Sequence, residues 1–175
     1  MRPLFQKTPV CFVAIDFETA DEQPDSACAV ALVRVVNDEI TERTSFLIQP
    51  PRRDFVFTYL HGIAWSNVAD QPTFGEWWPR FKVKLKGADF LAAHNAKFDQ
   101  NVLTTCCQQA GTVPPALPFV CTVLLARQVW NIYPTKLPNV CAALKLPLTH
   151  HNAASDAEAC ARIVMAARHK TLEPG

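Results

Sequence analysis

The hydrophobic and polar positions along the chain divide it into short segments with two different periods. "CFVAIDFE", residues 11–18, is a continuous apolar run closing on acids, the pattern of a strand buried on both faces. "CAVALVRVVND" and "ITERTSFLIQPP" predict two further strands. The polar Asn37-Asp38-Glu39 between them predicts an antiparallel hairpin turning near Asn37. Pro50 and Pro51 stop the second of these strands, because proline cannot continue a ladder. Residues 50–72 hold no sustained period and read as irregular, with a short helical turn around "HGIAW". "TFGEWWPRFKVKLKG" predicts a helix running from an N-cap at Thr73, with Glu76 three residues on, to a stop at Gly87. Pro79 is the one position that opposes it.

Further along, "ADFLAAH" predicts a short buried strand. "NAKFDQNVLTTCCQQAG" predicts a helix with Phe98, Val102 and Cys106 on one face and Gly111 at its end. "TVPPALP" is a loop, "FVCT" a short strand and "TVLLARQVW" a helix. "LPNVCAALKL" is a helix with proline in its first turn. "HHNAASDAEACARIVMAARHK" is a loop becoming a final helix, and "TLEPG" reads as a frayed tail. Three strands followed by strands alternating with helices predict an α/β fold with a mixed sheet and packed helices. Neither a repeat nor a composition break divides the chain. The expectation is one domain over residues 1–175, with an ordered core from about 10 to about 169.

Composition narrows the function classes. The chain has 175 residues, 49% of them apolar, and a formal net charge of +1. Such a chain buries a core without disulfide or metal staples. Near-neutrality argues against long, non-specific tracking along a duplex but not against a nucleic-acid substrate. The seven cysteines form no C-x-x-C pair, so they read as reduced core residues rather than a zinc site. "MRPLFQKTPV" lacks the apolar segment of a secretory signal, and no segment is long enough to span a bilayer. A cytoplasmic location is the corresponding expectation.

The candidate chemistry lies in the acids. Asp16 and Glu18 are two apart on a strand and point to one side. Unpaired, two such carboxylates repel and lose hydration, whereas hard oxygen ligands on one face suit Mg²⁺ or Mn²⁺. Asp99 lies one turn into the helix that follows the fourth strand, near the edge where open α/β sheets place their sites. Asp156 opens the last helix, and His151 precedes it on the loop, where a histidine can accept a proton near neutral pH. Each acid alone also fits an ordinary role, as a strand-end carboxylate facing water or a first-turn acid facing the helix dipole.

Together and in order they carry D-x-E in "AIDFET", D in "AHNAKFD" and H-x-x-x-x-D in "HHNAASDAEA". This set resembles the DEDDh group of 3′–5′ exonucleases, the ribonuclease H-like superfamily that includes the proofreading epsilon subunit of bacterial DNA polymerase III. The likeness runs from about Phe12 to about Ala167 and takes in "HGI" and "LPNVCAALKLPL". It implies a five-stranded mixed sheet with one antiparallel strand and helices on both faces. It also implies two divalent cations held by Asp16, Glu18, Asp99 and Asp156. By the same resemblance, Asp16 bridges the cations, Glu18 and Asp156 lie on the nucleophile side, and Asp99 acts through water. His151 is the general base, with nucleoside 5′-monophosphates as product.

His150 is the rival for the base, but only His151 leaves four residues before Asp156. No tyrosine lies shortly before Asp156, which disfavours a tyrosine base. The backbones of Phe17 and Thr19 are expected to meet the terminal sugar, and Leu60 and His61 the terminal base, with Asn95 and Phe98 facing the same cleft. For His61 and Asn95 a loop or cap hydrogen bond explains the residue equally well. Trp65 is the one tryptophan placed near substrate, and Lys82, Lys84 and Lys86 read as solvated charge. The implied partner is a nucleic-acid 3′ end, single-stranded or frayed DNA ahead of short RNA. A catalytically silent, polymerase-associated binding module is the reading from another class. A complete acid set argues against it, and no extended docking tail is visible in the sequence.

Overall fold

A computed structural model of the protein describes residues 9–172. Five strands form one sheet: β1 (Cys11–Thr19), β2 (Ala27–Val36), β3 (Glu39–Leu47), β4 (Phe90–Ala93) and β5 (Phe119–Cys121), in the order β3-β2-β1-β4-β5. β2 runs antiparallel to both neighbours, whereas β4 and β5 run parallel to β1. One antiparallel strand in a five-stranded mixed sheet is the arrangement expected above.

The β2–β3 hairpin turns on Asn37 and Asp38, both at positive φ (51° and 63°). A two-residue turn with two positive φ values matches the right-handed twist of its strands, and Asn and Asp tolerate it. Asn37 also accepts from the Val10 amide and donates its own amide to the Val10 carbonyl. The buried Arg168 grips Asp38 at 2.8 Å, tying the turn to the last helix.

Seven helices complete the fold among the described residues. Two short ones, α1 (Thr58–His61) and α2 (Trp65–Val68), flank the "HGIA" segment, where a single turn was expected. α3 (Phe74–Leu85) begins at Thr73, whose hydroxyl accepts from the Glu76 amide while the Glu76 carboxylate accepts from the Thr73 amide. The helix runs straight through Pro79. Proline there removes one backbone bond at a cost of about 3 kcal/mol, and burial of Phe74, Trp78, Phe81 and Leu85 offsets it.

α4 (Lys97–Gln109), α5 (Thr122–Trp130), α6 (Leu137–Leu144) and α7 (Ala153–Leu172) follow. α7 extends through Thr171 and Leu172, which the sequence placed in a frayed tail; the expected tails otherwise fall on residues 1–8 and 173–175, outside the described residues. Helices cover both sheet faces. α3 and α4 pack on the row Val13, Ile15, Phe17, and α5 and α7 on the row Phe12, Ala14. All seven cysteines are free thiols, five of them buried. Among the described residues no helix is long and apolar enough to cross a membrane.

Candidate active site

The two-residue period of β1 decides which side chains meet. Val13, Ile15 and Phe17 go to the α3/α4 face, so Asp16 and Glu18 continue the opposite row set by Phe12 and Ala14. That row faces α7. The side chains of α7 that meet it are mostly small: Ala157, Cys160, Ala161, Val164 and Ala167. Small contacts let the helix approach closely, and its first turn carries Asp156. One carboxylate oxygen from each of Asp16, Glu18 and Asp156 lies within 4.8 Å of the others.

Asp99 arrives from the other face of the sheet. β4 pairs with β1 only from Phe12 to Ala14, which leaves the far end of β1 without a strand neighbour on that side. Asp99, in the first turn of α4, fills the gap and accepts the Phe17 amide at 3.0 Å. It is 1% exposed and stands apart from the three-acid group.

This concentration of charge is costly without a counter-ion. Burial pushes Asp16 well above the usual carboxylate range, and Asp99, Asp156 and Glu18 push it further. Burial, with Asp156 beside it, lifts Glu18 to about 7. Burial lifts Asp99 to about 8 against the opposing pull of the Phe17 amide. Asp156 is raised by burial and held back by His150 and His151. Its Oδ1 is buried without a hydrogen-bond partner among the described residues. A divalent cation answers both features, since it offsets the repulsion and takes an oxygen that nothing among the described residues satisfies. Clustered carboxylate oxygens are the donor chemistry of Mg²⁺ and Mn²⁺.

Asp16, Glu18 and Asp156, but not Asp99, line one wall of a cleft of about 310 Å³. Phe17, Thr19, Phe57, Leu60, His61 and Phe98 line the rest, together with both histidines of the last loop. Leu60 (40%) and Phe98 (45%) are exposed apolar side chains at its mouth. Phe98 therefore leaves the buried face it was expected to share with Val102 and Cys106. Asn95, expected in the cleft, is not among its lining residues. It is exposed at φ 61°, because the chain must turn from β4 into α4 there and Asn tolerates the left-handed region. Trp65 is also absent from the lining and stacks under Arg53 at 5.1 Å.

His61 holds the cleft wall. Its Nδ1 accepts the Ile63 amide at 3.0 Å, which leaves Nε2–H to donate to the Thr19 carbonyl at 3.1 Å. That pairing fits the neutral ring, and burial lowers its pKa.

His150 and His151 stack with ring centroids 3.9 Å apart. His150 Nδ1 lies 3.0 Å from Asp156 Oδ2, and the same oxygen accepts the His151 amide at 3.2 Å. His151 sits at φ 62°, and its ring makes no hydrogen bond within the described residues. The sequence identified His151 by spacing and did not foresee the His150 contact.

One cluster was missed altogether. Asp21, expected to be a solvated loop residue, is 8% exposed. Arg52 bridges it at 3.0 Å and also grips Asp25, and both carboxylates are held below their usual range. The separation of 31 residues gave no local signal. The fork fastens the segment leading to Phe57 and Leu60 onto the loop after β1. The Val56 amide adds to it by donating to the Ala20 carbonyl at 2.7 Å.

Known proteins resemble this chain along most of its length. Residues 13–164 match the exonuclease family (RNase_T). The chain is 27% identical over 158 residues to a DNA polymerase III PolC-type protein of Thermotoga petrophila, covering 88% of this chain and 12% of that one. It is 30% identical over 155 residues to exodeoxyribonuclease 10 of Escherichia coli K12, covering 81% of this chain and 61% of the relative. It is 33% identical over 153 residues to the 3′-5′ exonuclease DinG of Bacillus subtilis, covering 84% and 16%. The chain thus spans only a small part of the PolC-type relatives.

Among solved structures, exonuclease X in complex with 5′ overhanging duplex DNA superposes with a TM-score of 0.77 at 24% identity, covering 93% of this chain and 94% of that one. The nuclease domain of 3′hExo, a DEDDh member bound to rAMP, gives 0.73 at 17% identity, covering 93% and 92%. The shared fold is ribonuclease H-like.

Proposed function

The chain belongs to the exonuclease family, and on that premise we propose that it is a metal-dependent 3′–5′ exonuclease acting on single-stranded or frayed DNA. The observation that carries the proposal is the meeting of Asp16, Glu18 and Asp156 within 4.8 Å on one side of a cleft, with Asp99 buried behind them. Asp16, Glu18, Asp99 and Asp156 would hold two divalent cations. When bound, such cations neutralise the phosphate, lower the pKa of water and stabilise the leaving oxygen.

The protein's own side chains do the remaining work. Leu60 and Phe98, exposed at the cleft mouth, receive the terminal base by apolar contact and stacking, worth about 1–3 kcal/mol per base. Phe17 and Thr19 present backbone to the terminal sugar. His61 fixes the wall opposite and stays neutral.

His151 takes the proton from the attacking water, since its ring nitrogens are uncommitted among the described residues, while His150 orients Asp156 through Nδ1. His150 as base is the second reading, because its ring is the one that touches an acid. The product is a nucleoside 5′-monophosphate released from the 3′ end. Single-stranded DNA is preferred to RNA on the strength of the exodeoxyribonuclease relative, and the site of action is the cytoplasm.

A 3′-labelled and a 5′-labelled single strand, each incubated with Mg²⁺, Mn²⁺ or EDTA, test the proposal. Early loss of the 3′ label as mononucleotide, with metal only, is expected. Failure to release it with either metal rejects the exonuclease reading, and survival of activity in EDTA rejects the metal requirement.

A further inference from the structure

The pole of the sheet opposite the acids carries a second feature, unrelated to the cleft. The C-terminal half of α3, the connection into β4 and the loop ahead of β5 enclose an open groove of about 620 Å³. Trp78 and Leu85 form its buried floor, and Val83 (68% exposed) and Val113 (81%) project at its edges. An apolar floor between two exposed valines gives a seat for one apolar side chain.

One rim is cationic. Lys82 and Lys86 are four apart and on one side, with Val83 beside them, and both are exposed and unpaired among the described residues. Lys84 faces elsewhere and pairs with Glu42. None of the residues lining the groove is a carboxylate. The Arg34 guanidinium, bonded to the Lys84 and Lys86 carbonyls at 2.9 and 3.0 Å, adds positive charge below the same rim.

We propose that this groove docks a short acidic peptide of a partner protein, which seats an apolar side chain over Trp78 and Leu85 and sets its carboxylates against Lys82 and Lys86. Complementarity favours this occupant over others. The chain's own first eight residues, "MRPLFQKT", carry Arg2 and Lys7 and would meet like charge. Nucleic acid would need an open aromatic face and a run of cations along its backbone. Here Trp78 is only 5% exposed, and Lys82, Lys86 and the Arg34 below them form a cluster rather than a run. Because the groove lies at the start of β4 and β5 and the acids lie past the end of β4, a docked peptide leaves the cleft open. The inference stands whether or not the proposed nuclease activity does.

The test is fluorescence anisotropy with the full chain and a labelled peptide of about nine residues, Leu and Phe flanked by Glu. Saturable binding is expected, weakened as salt rises from about 50 to about 300 mM. The double substitution K82E/K86E and, separately, V83D should each lose at least about tenfold in affinity. Circular dichroism and release of the 3′ label should stay at wild-type level.

The inference is overturned if the peptide fails to bind, if a Lys-for-Glu version or the peptide MRPLFQKT binds as well, or if the two variants bind like the wild type. Displacement of the peptide by a single-stranded oligonucleotide would assign the groove to nucleic acid instead. Concentration-dependent dimerisation abolished by V83D would assign it to a second copy.

Discussion

Replacing Asp16 with Asn tests whether the acid cluster is held together against its own repulsion. Asn keeps the shape and removes one charge from a group whose oxygens lie within 4.8 Å. Two unit charges at that distance repel by about 3 kcal/mol at an effective dielectric constant near 20. Partial protonation reduces this, because burial and the neighbouring acids raise Asp16 itself well above the usual carboxylate range and lift Glu18 to about 7. A net gain of about 2 kcal/mol is expected for D16N at pH 8 in EDTA, or about 4–8 °C in Tm for a chain of this length.

The sign follows from linkage. A carboxyl whose folded pKa is raised binds more protons folded than unfolded. Its contribution is fully present below the unfolded value and is lost as pH rises through the folded one. Between pH 5 and pH 8 the wild-type site therefore turns from neutral to repulsive. The difference between D16N and wild type should be small at pH 5 and largest at pH 8, and taking that difference cancels the rest of the molecule. Thermal melts in EDTA at the two pH values read it directly. A D16N protein less stable than wild type at pH 8, or an equal shift at both pH values, would refute the reasoning.

Other outcomes follow from the same structure. Mn²⁺ should raise the Tm of the wild type more at pH 8 than at pH 5, and should raise that of D16N far less, by differential scanning fluorimetry. H151A should lower kcat by about 10²-fold or more, and H150A by much less; the reverse order in steady-state assays would exchange their roles. R52A leaves the buried Asp21 without its partner, so the wall carrying Phe57 and Leu60 loosens. KM for a single strand should rise several-fold, on the order of 1 kcal/mol, with kcat within about twofold, and R52K should restore it only partly because lysine lacks the fork. F98A should weaken oligonucleotide binding by about 1–2 kcal/mol, measured with a catalytically inactive background.

Much of this was legible in the sequence because it is local. The apolar run before Asp16, the Asn37-Asp38 turn and the Thr73–Glu76 cap each span a few residues, and short-range physics fixes them, whereas the H-x-x-x-x-D spacing was read from the family resemblance. The alternation of β1 already placed Asp16 and Glu18 on one face. What stayed hidden is long-range or depends on packing. Arg52 finds Asp21 and Asp25 only once two loops are folded together. Pro79 argued against a helix that tertiary burial then stabilised. Phe98 shares a helical stripe with Val102 and Cys106, yet the stripe runs past the edge of the core and leaves Phe98 at the cleft mouth. Asn95 fitted a cap or a contact by type, and its left-handed backbone instead serves the turn. Lys82 and Lys86 looked like scattered charge until the loop before β5 supplied the opposite wall of a groove.

The central claim is that these four acids cut nucleic acid from its 3′ end. A 5′-labelled single strand with Mn²⁺, sampled over time with wild type and D16A, tests it most directly, with the released product identified by chromatography. The account predicts a ladder shortening one nucleotide at a time, nucleoside 5′-monophosphate as product, and no shortening with D16A, which folds normally. Immediate release of the 5′ label, a 3′-monophosphate product, or undiminished cutting by D16A would contradict it.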